Sequence, residues 1–203
     1  ILKAKLLETT DSEELDGLKI HYLNPVETWK DPKLQIRKYE LWEPDDSVLH
    51  KTLLLIGQKG SGKAMQINAL VNYCLDVKWS DKYRFKLIKD SQTAKTGINL
   101  YTIHHQNGFQ IPYSLTIIDV ESFTPSHSGA RKNKDTAQLL QTILDQNNKD
   151  PVQQVDMAAI VLKSHEEKLI LIHHFMFRNV LIKYFGEDIF QKTAIFFTHG
   201  DSC

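Results

Sequence analysis

Cysteine is scarce: the 203-residue chain has two, Cys74 and the terminal Cys203, so no disulfide framework holds the fold. Long apolar runs are also missing. None reaches the roughly 18 residues needed to span a bilayer, and no signal-peptide pattern opens the chain. Neither sign of charge is in excess, with 25 Lys plus Arg against 25 Asp plus Glu and a pI near 7.3. That balance removes the electrostatic case for a nucleic-acid or membrane-surface partner. There is no Asn-x-Ser/Thr acceptor, internal repeat or Gly-x-Ser-x-Gly nucleophile elbow. A cytoplasmic address is the resulting expectation. Because Ile1 is not Met, the chain is expected to be an excerpt of a longer polypeptide or a processed form.

What remains is ordinary globular material, 41% apolar and 25% charged, enough for one α/β domain and a modest extension. Residues 1–50 read as an N-terminal arm or linker. Asp11 to Asp16 is acidic, Pro25, Pro32 and Pro44 punctuate the next stretch, and Leu34 to Trp42 alternates well enough for one strand. From residue 51 the pattern becomes regular. Thr52 to Ile56 is an apolar strand of the kind buried on both faces of a parallel sheet. A glycine turn and a helix over Ala64–Val77 follow, then an irregular connection through 80–97.

Asn99–Gln106 and Phe109–Asp119 read as two strands joined by a tight turn at Asn107-Gly108. A helix over Thr136–Leu144, a buried strand over Val155–Leu162 and a long helix over Leu169–Phe185 come next, the last ended by Gly186. Thr193–Phe197 is a final strand. This order predicts an α/β three-layer fold with a mostly parallel sheet and one antiparallel hairpin edge, spanning 51–203 and truncated at its C-terminus.

The chemistry concentrates in Gly57-Gln58-Lys59-Gly60-Ser61-Gly62-Lys63, between a buried strand and a helix. Glycines let successive amides turn inward around phosphate oxygens, and the helix N-terminus adds its positive dipole end. Lys63 supplies a full charge to the outer phosphates. The next residue should carry a hydroxyl for Mg²⁺, but it is Ala64, which keeps only its amide.

With this loop, the runs Leu53 to Trp79 and Tyr83 to Ile88, together with Ser91-Gln92-Thr93, His105 to Phe109, Ser114 to Asp119 and Ala194 to Phe197, resemble the septin/AIG1-like P-loop GTPases. The resemblance covers about residues 51–203 and implies a bound GTP or GDP. It also implies Mg²⁺ held through Asp119 and a switch threonine. Thr93 and Thr96 are both in range, and Thr96 is taken into the expected magnesium set.

Where that family has Asp-x-x-Gly, this chain has Asp119-Val120-Glu121-Ser122. The aspartate is kept and the phosphate-sensing glycine is lost. Thr198-His199-Gly200-Asp201 stands where the family selects its base, which implies guanine read by Asp201, with Thr198 and His199 beside it. The expectation is a GTP- or GDP-binding domain with weak Mg²⁺ and weak or absent hydrolysis, acting through a protein partner or a homo-oligomer. The alternative is a pseudo-GTPase scaffold that binds no nucleotide. His104-His105 and His173-His174 lack partners at ligand spacing. The apolar face of Leu169–Phe185 is wide enough for either sheet packing or an interface.

Overall fold

Strand His50–Gly57 (β5) sets the layers. Leu53 and Leu55 point to one side of the sheet, Leu54 and Ile56 to the other, and all four are buried. The computed structural model describes residues 2–89, 97–124, 130–144, 154–165 and 171–200 of the chain. Around β5 lie Ser114–Val120 (β8) and Met157–Lys163 (β9), both parallel to it. Thr193–Thr198 (β10) is parallel to β9. Beyond β8, Ile98–Ile103 (β7) pairs antiparallel. The seven-stranded order is completed by Ile36–Leu41 (β4) and Val26–Asp31 (β3), reading β10-β9-β5-β8-β7-β4-β3.

One face is covered by helix Lys63–Cys74 (α2) through Ile67, Val71 and Cys74. Each such aliphatic side chain contributes on the order of 2 kcal/mol by leaving water. Ala130–Leu144 (α3) covers the other face through Ala137, Leu140 and Ile143, with Ile172, Met176, Val180 and Leu181 of the 171–185 helix. This helix runs from Leu171–Phe175 (α4) through a π-helical stretch, Met176–Ile182, to Lys183–Phe185 (α5), and Gly186 ends it at φ +76°. Three layers result. No helix among the described residues is long and apolar enough to cross a membrane.

The first 50 residues are woven into this framework. Besides β3 and β4, helix Leu2–Thr9 (α1) buries Leu6 in the α2-side core, while Ser12–Leu15 (β1) and Leu18–Tyr22 (β2) form a small second sheet with Tyr83–Lys86 (β6). Two asparagines one turn apart on α2 fix β6. Asn72 Oδ1 accepts from Phe85 N at 2.9 Å, and Asn68 Oδ1 from Leu87 N and Ile88 N at 2.8 and 2.9 Å. The backbone over 85–88 thereby gains partners within the connection expected to be irregular.

The antiparallel β7–β8 pair is present, but its connection is longer than a two-residue turn, because the strands stop at Ile103 and restart at Ser114. Phe109 N donates to Gln106 O at 3.0 Å, with Gly108 at φ +99° and Asn107 on the negative side. Positive φ at the second central residue alone makes a turn whose twist splays the flanking strands, so pairing does not propagate into it.

Candidate functional site

The turn after β5 keeps its shape because side chains would destroy it. A Cβ on Gly57 would stand 2.5 Å from Ser61 Oγ and 2.9 Å from the Val161 carbonyl. Gly62 caps α2 at φ +92°, hard against Thr198. The loop is tied at both flanks. Phe123 N donates to Gly57 O at 3.2 Å and Lys59 N to Phe123 O at 2.9 Å, which fastens the segment after β8. On the other side Thr198 Oγ1 donates to Ser61 O at 2.6 Å and lies 3.1 Å from Leu162 O, and His199 Nε2 sits 3.2 Å from Gly60 O. The amides of Gly60, Gly62, Lys63 and Ala64 have no backbone acceptor among the described residues.

Those amides border a cavity of about 370 Å³ lined by Gln58 to Ala64, Asn99, Tyr101, Asp119, Glu121, Ser122 and His199, among others. Lys63 is 8% exposed. Burial pulls its ammonium below the ordinary lysine range, partly offset by the carboxylates of Asp119 and Glu121. Burial pushes Asp119 up to about 6, against the pull of Lys63. Lys63 Nζ donates to Ser122 Oγ at 2.6 Å, and Glu121 Oε2 accepts from Gly97 N at 3.1 Å. Three side-chain atoms on this cavity, Ser61 Oγ, Asn99 Oδ1 and Asp119 Oδ1, are buried without a hydrogen-bond partner among the described residues. Buried polar atoms are nearly always satisfied, so three orphans around one cavity are a demand for an occupant.

The expected site residues therefore fall as follows. Gly57 forms the back of the turn, Gln58 to Ala64 the cradle, and Asp119 the far wall. Thr198 lies beneath the loop with its hydroxyl spent on backbone carbonyls, and His199 stands at the rim. Thr93, Thr96 and Asp201 lie outside the described residues, so no switch threonine or base-reading carboxylate is placed. Asn99 and Tyr101 were not anticipated. Asn99 sits opposite Asp119 in the β7–β8 register, and its only sequence signal is a polar residue early in an apolar strand.

The histidine pairs behave as ordinary side chains. His104 contacts Glu40, His173 is buried in its helix, and no cluster of three or more metal-binding side chains occurs among the described residues. A second cavity, of about 450 Å³, lies at the opposite end of the sheet between Lys38, Glu40, His50, Thr102, His104 and Thr116.

Sheet order, glycine turn and buried lysine together give the chain a P-loop fold of the GTPase type. No protein-family model matches the sequence, and no curated protein matches it. Among solved structures the chain is similar to Toc33 from Arabidopsis thaliana, crystallised in complex with Mg²⁺ and GMPPNP. The TM-score is 0.52 at 16% identity, covering 75% of this chain and 52% of that one. The chain thus spans about half the length of the protein it matches, and the likeness is one of fold.

Proposed function

We propose that this chain binds a guanine nucleotide in the cavity, as a GTPase-like domain with weak or absent hydrolysis that acts by associating with a protein partner or a second copy of itself. The amides of Gly60, Gly62, Lys63 and Ala64, which have no backbone acceptor among the described residues, with the buried Lys63 and the orphaned Ser61 hydroxyl beside them, carry this reading. A diphosphate offers acceptors for the amides and for Lys63, and its oxygens suit a helix N-terminus. Guanine over adenine rests on the resemblance at Thr198 to Asp201, and the complex named for Toc33 agrees with it.

Magnesium fits less well. Asp119 offers one carboxylate oxygen, but Ala64 offers no hydroxyl. The metal supplies charge neutralisation at transferring phosphates, chemistry that depends almost wholly on positioning. Among the described residues the expected metal ligand is Asp119 alone, and the place of the glycine expected to sense a terminal phosphate belongs to Ser122.

Titration with labelled GTP, GDP and ATP, with and without Mg²⁺, tests the proposal. Saturable guanine nucleotide binding that depends little on Mg²⁺ is expected, and Ala64→Ser should tighten the Mg²⁺-dependent part. Absence of binding at millimolar nucleotide overturns it. A second reading, a scaffold without nucleotide, draws on the Lys63–Ser122 hydrogen bond, which already gives the lysine an internal partner. Saturation by any nucleotide ends that reading.

A further inference from the structure

In a phosphate loop the lysine is the group that reaches the β- and γ-phosphates. Here its ammonium donates to Ser122 Oγ at 2.6 Å, in a partly buried contact between residues 59 apart in sequence. Ser122 is held there by its neighbour. Phe123 is fully buried, and its amide and carbonyl are both bonded to the phosphate loop, through Gly57 O and Lys59 N. On the other side Glu121 N donates to Gly97 O at 2.9 Å while Glu121 Oε2 accepts from Gly97 N at 3.1 Å. The segment is therefore clamped at both ends, which keeps the Ser122 backbone beside Lys63, so that only rotation of its own side chain takes the hydroxyl away.

The surroundings of Lys63 point the same way. Asp119 and Glu121 line the same cavity and both act on its charge, so the cavity around the lysine holds carboxylates as well as the hydroxyl. A phosphate entering along the amides of Gly60, Gly62, Lys63 and Ala64 meets only donors. One extending past the lysine must displace the serine and approach two carboxylates, where like charges repel.

We propose that the cavity selects a nucleoside diphosphate over the triphosphate, with the Ser122 hydroxyl taking on Lys63 the place that a terminal phosphate would occupy. This rests on the reading that the cavity binds a guanine nucleotide. No covalent step is involved; the selection is one of fit and charge.

The test is equilibrium titration of GMP, GDP and GTP, in EDTA and again with Mg²⁺, against the wild-type chain and the variants Ser122→Gly and Ser122→Thr. The wild type is expected to bind GDP at least about tenfold more tightly than GTP, a factor of ten being one decade in Kd. Ser122→Gly should bring the two within about threefold by strengthening GTP, with GDP little changed, while Ser122→Thr keeps the preference because it keeps the hydroxyl. Equal affinities of the wild type for GDP and GTP overturn the inference alone. So does a preference that Ser122→Gly leaves intact in a variant whose unliganded melting temperature shows it to be folded. Failure of the wild type to bind any of the three removes the underlying reading, and the inference falls with it.

Discussion

The sheet carries a cavity at each end, and the two treat polar groups in opposite ways. At the end away from the phosphate loop, partners are matched. Glu40 Oε1 takes Lys38 Nζ at 2.8 Å and His104 Nε2 at 3.1 Å. His50 Nε2 lies 2.8 Å from Thr116 Oγ1, which lies 2.8 Å from Thr102 Oγ1. Burial alone would raise the Glu40 carboxyl, but hydrogen bonds from Lys38 and Thr28, with His104 adding a smaller pull, hold it down at about 2. At the loop end the carboxyl of Asp119 is driven the other way, to about 6, with one oxygen orphaned. A polar cavity whose groups satisfy one another is part of the structure. One whose groups remain unsatisfied is built for something else to complete it.

The sharpest way to break this contrast is at Lys63. Replacing it by Met should weaken guanine nucleotide binding by about 100-fold, measured by titration, since a charge-assisted contact to phosphate is lost. No such loss should follow from Lys38→Met at the other end.

Next comes Asp119→Asn, which should stabilise the unliganded fold at neutral pH by about 1–2 kcal/mol, because a carboxylate whose burial outweighs the pull of Lys63 is relieved of its charge. The sign is set by the direction of the shift. The folded pKa of Asp119 lies above its ordinary 3.8, so its contribution is full below that value and lost as pH rises through about 6. Denaturation midpoints of variant and wild type should therefore converge near pH 4 and separate above pH 6.

Glu40→Gln should do the reverse, costing about 1 kcal/mol at neutral pH. With a folded pKa of about 2 against an ordinary 4.5, its contribution is present above 4.5 and disappears as pH falls through 2. The smallest effect belongs to Thr116→Val, about 0.5–1 kcal/mol, from loss of the hydroxyl shared by His50 and Thr102. Nucleotide affinity unchanged in both of these variants would sharpen the division, and a tenfold loss in either would dissolve it.

What was legible in the sequence was local. Gly57 to Lys63 announced itself because turn, helix start and buried strand are adjacent in the chain, and each constrains the next. The alternation that places Leu53 and Leu55 against α2, with Leu54 and Ile56 against the opposite layer, was implicit in an unbroken apolar strand. Pairings across long separations stayed hidden. Nothing near Ile36–Leu41 says that β4 will lie parallel to β7, which puts residues read as an arm into the main sheet. Nor does Ser122 reveal on its own that Lys63, 59 residues earlier, is its partner. Thr198 looked like a base-reading residue because its motif position is local, while the carbonyls that claim its hydroxyl, at Ser61 and Leu162, are remote.

Cys74 closes the far end of α2 from Lys63, with its side chain sealed in the core and its thiol pushed up to about 12 by burial. Near neutral pH only a minute fraction of it is thiolate, so alkylating reagents can reach and react with it only when the helix lifts from the sheet. In a Cys203→Ser background the rate of Cys74 modification is therefore a clock for that opening. A ligand that braces the N-terminus of the same helix should slow the clock, so occupancy of the phosphate loop becomes readable, without any nucleotide label, from a sulfur at the other end of the helix.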